Sequence, residues 1–304
     1  MYATLYSFPS ILKRNAMKGS VIPTYSGLPT ILKEQGYRTM FFMTHESQYD
    51  NMNAFFRTNG FDEIFSQENY PSEKVVNGFG VQDDFLYDYA LNHLKKQSAQ
   101  TSPFFAVLLS ISNHPPYVIP SYFQPKSKNI EEQIVEYADW SIRQFIHKAS
   151  QQPWFDNTIF LITADHCASS AGRTEIPLHK YHIPALIFAP GFVAPQQIEG
   201  IVSQIDLMPT LLSLLDMDYD SHFYGRSIYD EGYVNRAFIA TYQDLGYLEG
   251  DVFTILSPVR RFEQYRVVPT EDNPHNLEPM ETENPEQVSR AIGYYQTSSA
   301  WNKR

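Results

Sequence analysis

The 304-residue sequence contains a single cysteine, Cys167. That excludes an internal disulfide and any zinc site built from clustered cysteines, and one thiol does not identify a redox compartment. No uninterrupted apolar run reaches the roughly 18 residues of a membrane-spanning helix. The opening "MYATLYSFPSILKRNAMKGS" has no charged segment leading into an apolar stretch, as a secretory signal would, so the expectation is a soluble chain. Blocks of Lys or Arg are absent and the formal net charge is −11, which argues against nonspecific DNA or RNA binding. An acidic balance does not forbid a phosphate substrate, because a metal can supply positive charge locally. Neither G-x-x-x-x-G-K-[ST] nor G-x-G-x-x-G occurs, and there is no G-x-S-x-G nucleophile elbow. These absences weigh against ATPase, dehydrogenase and esterase chemistry.

What is present is a globular composition, 43% hydrophobic and 19% charged, in a chain long enough for a substantial core. Apolar strands alternate with amphipathic helices. "GLPTILKEQGYRTMFFMTH" predicts a helix through Leu28, Ile31 and Leu32, capped by Gly36, then a strand from Arg38 to Thr44 ending at His45. "DDFLYDYALNHLKKQ" has helical spacing, an acidic start and a basic end that suit the helix dipole. "PFFAVLLSISNH" is a strand ending at Asn113–His114, "EEQIVEYADWSIRQFIHKASQ" a helix, and "NTIFLITADH" a strand ending at Asp165–His166. "HIPALIFAPG" is another apolar strand and "DLMPTLLSLLDM" a short helix, with Asp206 read as its N-cap. The pattern predicts an α/β fold, a mostly parallel sheet sandwiched by helices. The α/β core spans 1–232. Residues 233–269 read as short antiparallel strands continuing the same domain, and 270–304 as a polar tail with a weak helix.

In open parallel sheets, ligands bind beyond the carboxyl ends of the strands. Three predicted strands end on histidine: at His45, at His114 and at Asp165–His166. If those strands are neighbours, imidazoles and a carboxylate share one rim. Asp165 and His166 offer an oxygen and a nitrogen donor, a pair that suits a divalent cation where the backbone turns. The alternative is an Asp capping the next turn beside a solvated His. His114, in "SNHPPY", reads either as a donor to an anionic substrate or as a turn histidine, and His45 in "MTHES" likewise. His182 opens the next strand, where its ring faces the site or packs. His93, His147, His222 and His275 are isolated and carry no assigned role. Cys167 reads as a small residue filling a crowded turn.

Taken in order, "GLPTILKEQGYRTMFF", "FFAVLLSISNHPPY", "TIFLITADHCASSAG", "HIPALIFAPG" and "SQIDLMPTLLSLL" resemble the sulfatase-like domain of the lipoteichoic acid synthase family, in the alkaline phosphatase superfamily. The match runs from about Met1 to Pro258. The resemblance implies an alkaline phosphatase/sulfatase-like fold with a small antiparallel C-terminal extension. It implies metal-binding roles for Asp165 and His166 and one divalent ion, Mn, Zn or Mg. Substrate contacts then fall on His114 and His45, with His182 beside them, and the substrate class is a phosphate or sulfate ester, lipid head groups included.

The chain departs from the family pattern in three places. The acid and Arg that follow the first histidine in glycerolphosphate polymerases are not evident in "SQYDNMNAFF". The family's nucleophilic threonine and its acidic metal ligand are expected upstream of Met1; Thr4 falls after the expected position. The resemblance also implies membrane helices in that upstream region of full-length relatives, and hence an extracytoplasmic domain. The expected activity is metal-dependent transfer or hydrolysis of phosphate esters. A sulfatase proper, whose C/S-x-P-x-R motif is absent, and a non-catalytic binding domain that has lost its nucleophile are the alternatives.

Overall fold

The alternation of strand and helix takes shape in a computed structural model that describes residues 1–11, 15, 17–19, 21–167 and 176–301. The helices are α1 (Tyr2–Tyr6), α2 (Leu28–Glu34), α3 (Met52–Thr58), α4 (Asp83–Ser98), α5 (Ile130–Ala149), α6 (Leu207–Leu214) and α7 (Pro285–Trp301). The strands are β1 (Arg38–Met43), β2 (Glu63–Phe65), β3 (Val75–Asn77), β4 (Gly80–Val81), β5 (Phe104–Leu109) and β6 (Phe160–Thr163). They continue with β7 (Ala185–Phe188), β8 (Arg236–Ala240), β9 (Leu245–Glu249), β10 (Val252–Ser257), β11 (Arg261–Val267) and β12 (Leu277–Pro279). The described chain divides into two compact units. The first comprises Met1–Leu28, Ile162–Leu186 and Pro195–Arg304; the second comprises Pro29–Leu161 and Ile187–Ala194.

The second unit is built on a parallel sheet of order β2-β1-β5. Successive residues of β1 face opposite sides, and every residue of it after Arg38 is buried. Phe41 stacks on Phe56 of α3, ring centroids 4.4 Å apart. Phe42 stacks on Phe65 at 4.6 Å and joins Leu86, Ala90 and Leu94 of α4 in the opposite layer. Each such buried phenylalanine contributes roughly 1.5–3 kcal/mol. Covered faces explain the continuous apolar runs of the strands.

Helix ends follow the sequence signals. Gly36, at φ +84°, closes α2: its N–H donates to Lys33 O, and Tyr37 N–H reaches back to Leu32 O. In α5, Asn129 accepts the N–H of Glu131 at 3.0 Å, Glu131 and Glu132 follow in the first turn, and Lys148 lies in the last.

In the first unit an antiparallel sheet runs β12-β11-β10-β9-β8. The tail is more ordered than its composition suggests: α7 is 17 residues long, with Val288, Ala291 and Tyr295 buried. The Tyr295 hydroxyl donates to Ile239 O and Gly246 O, tying the helix to β8 and β9. Asp206 precedes α6, yet its carboxylate makes no cap bond to that helix. It turns inward instead, accepting from Arg226 N, the Tyr233 hydroxyl and the buried Arg236 guanidinium, the last at 3.3 Å.

Among the described residues β6 pairs with β7. Of the three histidine-ended strands, β1 and β5 are ladder neighbours.

Candidate functional site

In the second unit, Met43 pairs with Leu109, so β1 and β5 end level with one another. His45 lies two residues beyond the first, and the Ile111–His114 turn follows the second, closed by His114 N–H to Ile111 O at 2.9 Å. The buried Asp83 at the start of α4 fixes this turn, accepting the N–H groups of Ile111 at 3.0 Å and Ser112 at 2.9 Å. Burial raises the pKa of the Asp83 carboxyl, and these hydrogen bonds oppose the shift.

His45 is 2% exposed. Its Nδ1 contacts Glu46 O at 3.0 Å, and His114 Nδ1 contacts Pro115 O at 2.8 Å. A carbonyl only accepts, so each contact places a proton on Nδ1 and leaves Nε2 as a lone pair that accepts a proton from a ligand. Burial lowers the pKa of His45, which keeps that ring neutral at pH 7. The two histidines are joined by a row of rings: His45–Tyr49 at 4.6 Å, Tyr49–Phe79 at 6.4 Å and Phe79–His114 at 4.4 Å between centroids. Sequence reasoning passed over Tyr49 and Phe79 because no periodicity links residues 30 positions apart.

In the first unit, Asp165 and His166 follow β6 and are half-exposed. The carboxylate Oδ1 accepts the His166 N–H at 3.0 Å, and Oδ2 lies 3.7 Å from His166 Nε2. His166 Nδ1 contacts Cys167 O at 2.8 Å, which places the proton on Nδ1 and leaves the Nε2 lone pair for a ligand. Gln204 holds this corner from the α6 side, its amide donating to Asp165 O at 3.0 Å and Ala164 O at 3.2 Å. The sequence placed Gln204 inside a recognised motif without giving it a task. Thr4 is buried on α1, 3.5 Å from the same Gln204 amide.

His182 Nδ1 lies 3.1 Å from His275 Nε2, so the ring read as facing a substrate is already engaged with a histidine that had been given no role. The Cys167 thiol donates to His182 O at 3.3 Å, and burial pushes its pKa up, so this sulfur is a held turn residue rather than an activated nucleophile. Residues 168–175, the rest of the "ADHCASSAG" segment, lie outside the described residues.

Two donors about 2.1 Å from one tetrahedral ion lie about 3.4 Å apart, so the 3.7 Å Asp165–His166 separation suits a shared cation. No group of three or more His, Cys, Asp or Glu converges among the described residues. The pair therefore fits a metal as part of a ligand set. Among the described residues no helix is long and apolar enough to cross a membrane.

Comparison with known proteins places this arrangement. The sulfatase family model matches residues 1–217. The lipoteichoic acid synthase of Staphylococcus aureus (strain USA300) is 25% identical over 264 residues, covering 76% of this chain and 40% of its own length. The chain thus spans less than half of the curated relatives it matches. A Vibrio parahaemolyticus protein of the alkaline phosphatase superfamily superposes with TM-score 0.91 at 31% identity, covering 99% of this chain and 74% of the other. A lipoteichoic acid synthase from Listeria monocytogenes shares the fold, with TM-score 0.81 at 22% identity over 100% of this chain and 79% of the other. With the parallel sheet, its helices and the C-terminal antiparallel sheet in place, the chain belongs to the sulfatase family, as a lipoteichoic acid synthase-like member of the alkaline phosphatase superfamily.

Proposed function

We propose that this chain carries the core of a metal-dependent enzyme that transfers or hydrolyses phosphate or sulfate esters. The observation that supports it most is the Asp165–His166 corner: a carboxylate and an imidazole nitrogen 3.7 Å apart, half-exposed, with the ring's tautomer set by Cys167 O. Asp165 and His166 are read as holders of one divalent cation, Mn, Zn or Mg, with Gln204 keeping their backbone in place. Such an ion, when bound, supplies Lewis-acid stabilisation of charge on the ester oxygens.

His45 and His114 are read as the groups that hold non-bridging oxygens. Each presents the lone pair of Nε2, which accepts the proton of a substrate oxygen that carries one. His182 is read as a third substrate contact, oriented by its partner His275. The likeness to lipoteichoic acid synthases supports lipid-linked phosphate esters among the substrates, and the site of action is read as extracytoplasmic.

The test is metal binding. Titration of the purified chain with Mn2+ or Zn2+, read by calorimetry and by metal content after dialysis, should give one site. Asp165→Ala and His166→Ala should each weaken it by roughly tenfold or more. Unchanged affinity in both variants would sink the ligand assignment. In the full-length protein the same variants should abolish turnover of p-nitrophenyl phosphate or p-nitrophenyl sulfate.

A further inference from the structure

The rim of the second unit holds two aromatic rings that the proposed chemistry does not use. Tyr49 lies over His45 at 4.6 Å and is 45% exposed, whereas His45 is 2% exposed. Phe79 stands in the same relation to His114, at 4.4 Å. Each imidazole of the rim is therefore backed by an aromatic face.

Both rings are held there by local structure. Tyr49 is followed by Asp50 and Asn51, consecutive non-glycine residues in the left-handed region at φ 51° and 61°. Such backbone costs free energy and persists only where its surroundings enforce it. Phe79 sits in the turn between β3 and β4, where its N–H donates to Asn77 Oδ1 at 2.8 Å. That hairpin is anchored at both ends of the row. Val81 N–H donates to Thr44 O at 3.2 Å beside His45, and Asn77 Nδ2 donates to Pro116 O at 3.4 Å beside His114.

We propose that Tyr49 and Phe79 are specificity-determining residues that receive a ring in the organic part of the ester, aryl or glycosyl, in preference to an open-chain alcohol such as glycerol. The inference rests on the reading of His45 and His114 as oxygen-binding groups. Its chemistry is that of aromatic faces: they stack on flat-sided groups, a contact that an open-chain polyol cannot match. Stacking on one such face corresponds to about 3- to 10-fold in affinity.

The experiment measures dissociation constants of the 304-residue chain by NMR titration, with and without added Mn2+. The ligands are inorganic phosphate, glycerol 3-phosphate, phenyl phosphate and glucose 6-phosphate. At least one ring-bearing ester should bind about 3- to 10-fold tighter than glycerol 3-phosphate. That ratio should collapse toward one in Tyr49→Ala and Phe79→Ala. Because both constants are taken on one sample, partial unfolding cancels from the ratio. Tyr49→Leu and Phe79→Leu keep apolar bulk without the ring and should lose the preference as well. The proposal is overturned if neither ring-bearing ester outbinds glycerol 3-phosphate, or if the preference survives in both alanine variants. Binding of none of the four ligands, with or without metal, overturns the oxygen-binding reading and this inference with it. Phosphate binding without ring preference overturns the inference alone.

Discussion

At the scale of single residues, the chemistry of this rim is set by what surrounds each histidine. His45 is enclosed, its Nδ1 is committed to Glu46 O, and burial holds its pKa below the ordinary value of about 6.5. The nearby carboxylates of Asp50, Glu68 and Glu46 pull the other way without reversing the shift. A depressed histidine pKa means the unfolded chain binds the proton more readily than the folded one. Its stability contribution is therefore intact above about pH 6.5 and is lost as pH falls from there through the folded pKa. Thermal unfolding between pH 7.5 and pH 5 (about one unit above and 1.5 below the ordinary histidine pKa) should be less steeply pH-dependent in His45→Asn than in the wild type. Parallel curves would refute the buried neutral state. None of this could be read from "MTHES", because burial is made by Tyr49 and the β3–β4 turn.

At the scale of elements, the hairpin β3–β4 carries more consequence than its few residues suggest. Gly80 has φ +92°, and a Cβ there would lie 1.7 Å from Thr44 O. Only glycine allows the hairpin to seat on the segment that presents His45. Gly80→Ala should cost roughly 2–4 kcal/mol in urea unfolding, from backbone strain and overpacking together. Gly78→Ala, two residues earlier with nothing within 4 Å of its added Cβ, should be nearly neutral. Equal effects at the two positions would contradict the seating described here. The long helices needed no such context. Acidic first turns, basic last turns and apolar spacing were enough to identify α4 and α5 from sequence, and Gly36 marked the end of α2. Asp206 shows where that logic stops. Its position before a helix is legible, but Arg236, 30 residues away, draws its carboxylate into the core.

At the scale of the whole molecule, each compact unit has a buried apolar cluster, Met40, Phe42 and Leu86 in the second and Ile239, Phe253 and Ile255 in the first. The first unit also buries the Asp206–Arg236 pair, with side chains 0% and 3% exposed. Arg236 also lies over the rings of Phe238 at 5.7 Å and Tyr294 at 5.9 Å. Arg236→Met leaves a buried carboxylate without its cation and should cost about 3–5 kcal/mol. Effects of distant sites are close to independent. Amide exchange should therefore accelerate in β8, β9 and α7 while β1 and β5 keep their protection. A uniform loss across both units would show that they unfold as one body.

The sequence alone determined the local and periodic features: strands buried on both faces, amphipathic helices with their caps, the α/β class, and the polar residues that end β1, β5 and β6. It did so because hydrophobic period, capping and turn chemistry act over a few residues. Tertiary structure decided which of these endings share a rim and what faces each side chain. It put Tyr49 and Phe79 between His45 and His114, Asp83 under the Ile111–His114 turn, Gln204 behind Asp165 and His275 against His182. Apart from Tyr49, four residues after His45, those contacts join residues from distant parts of the chain. They are fixed by strand pairing and core packing, and neither has a signature within a local stretch of sequence.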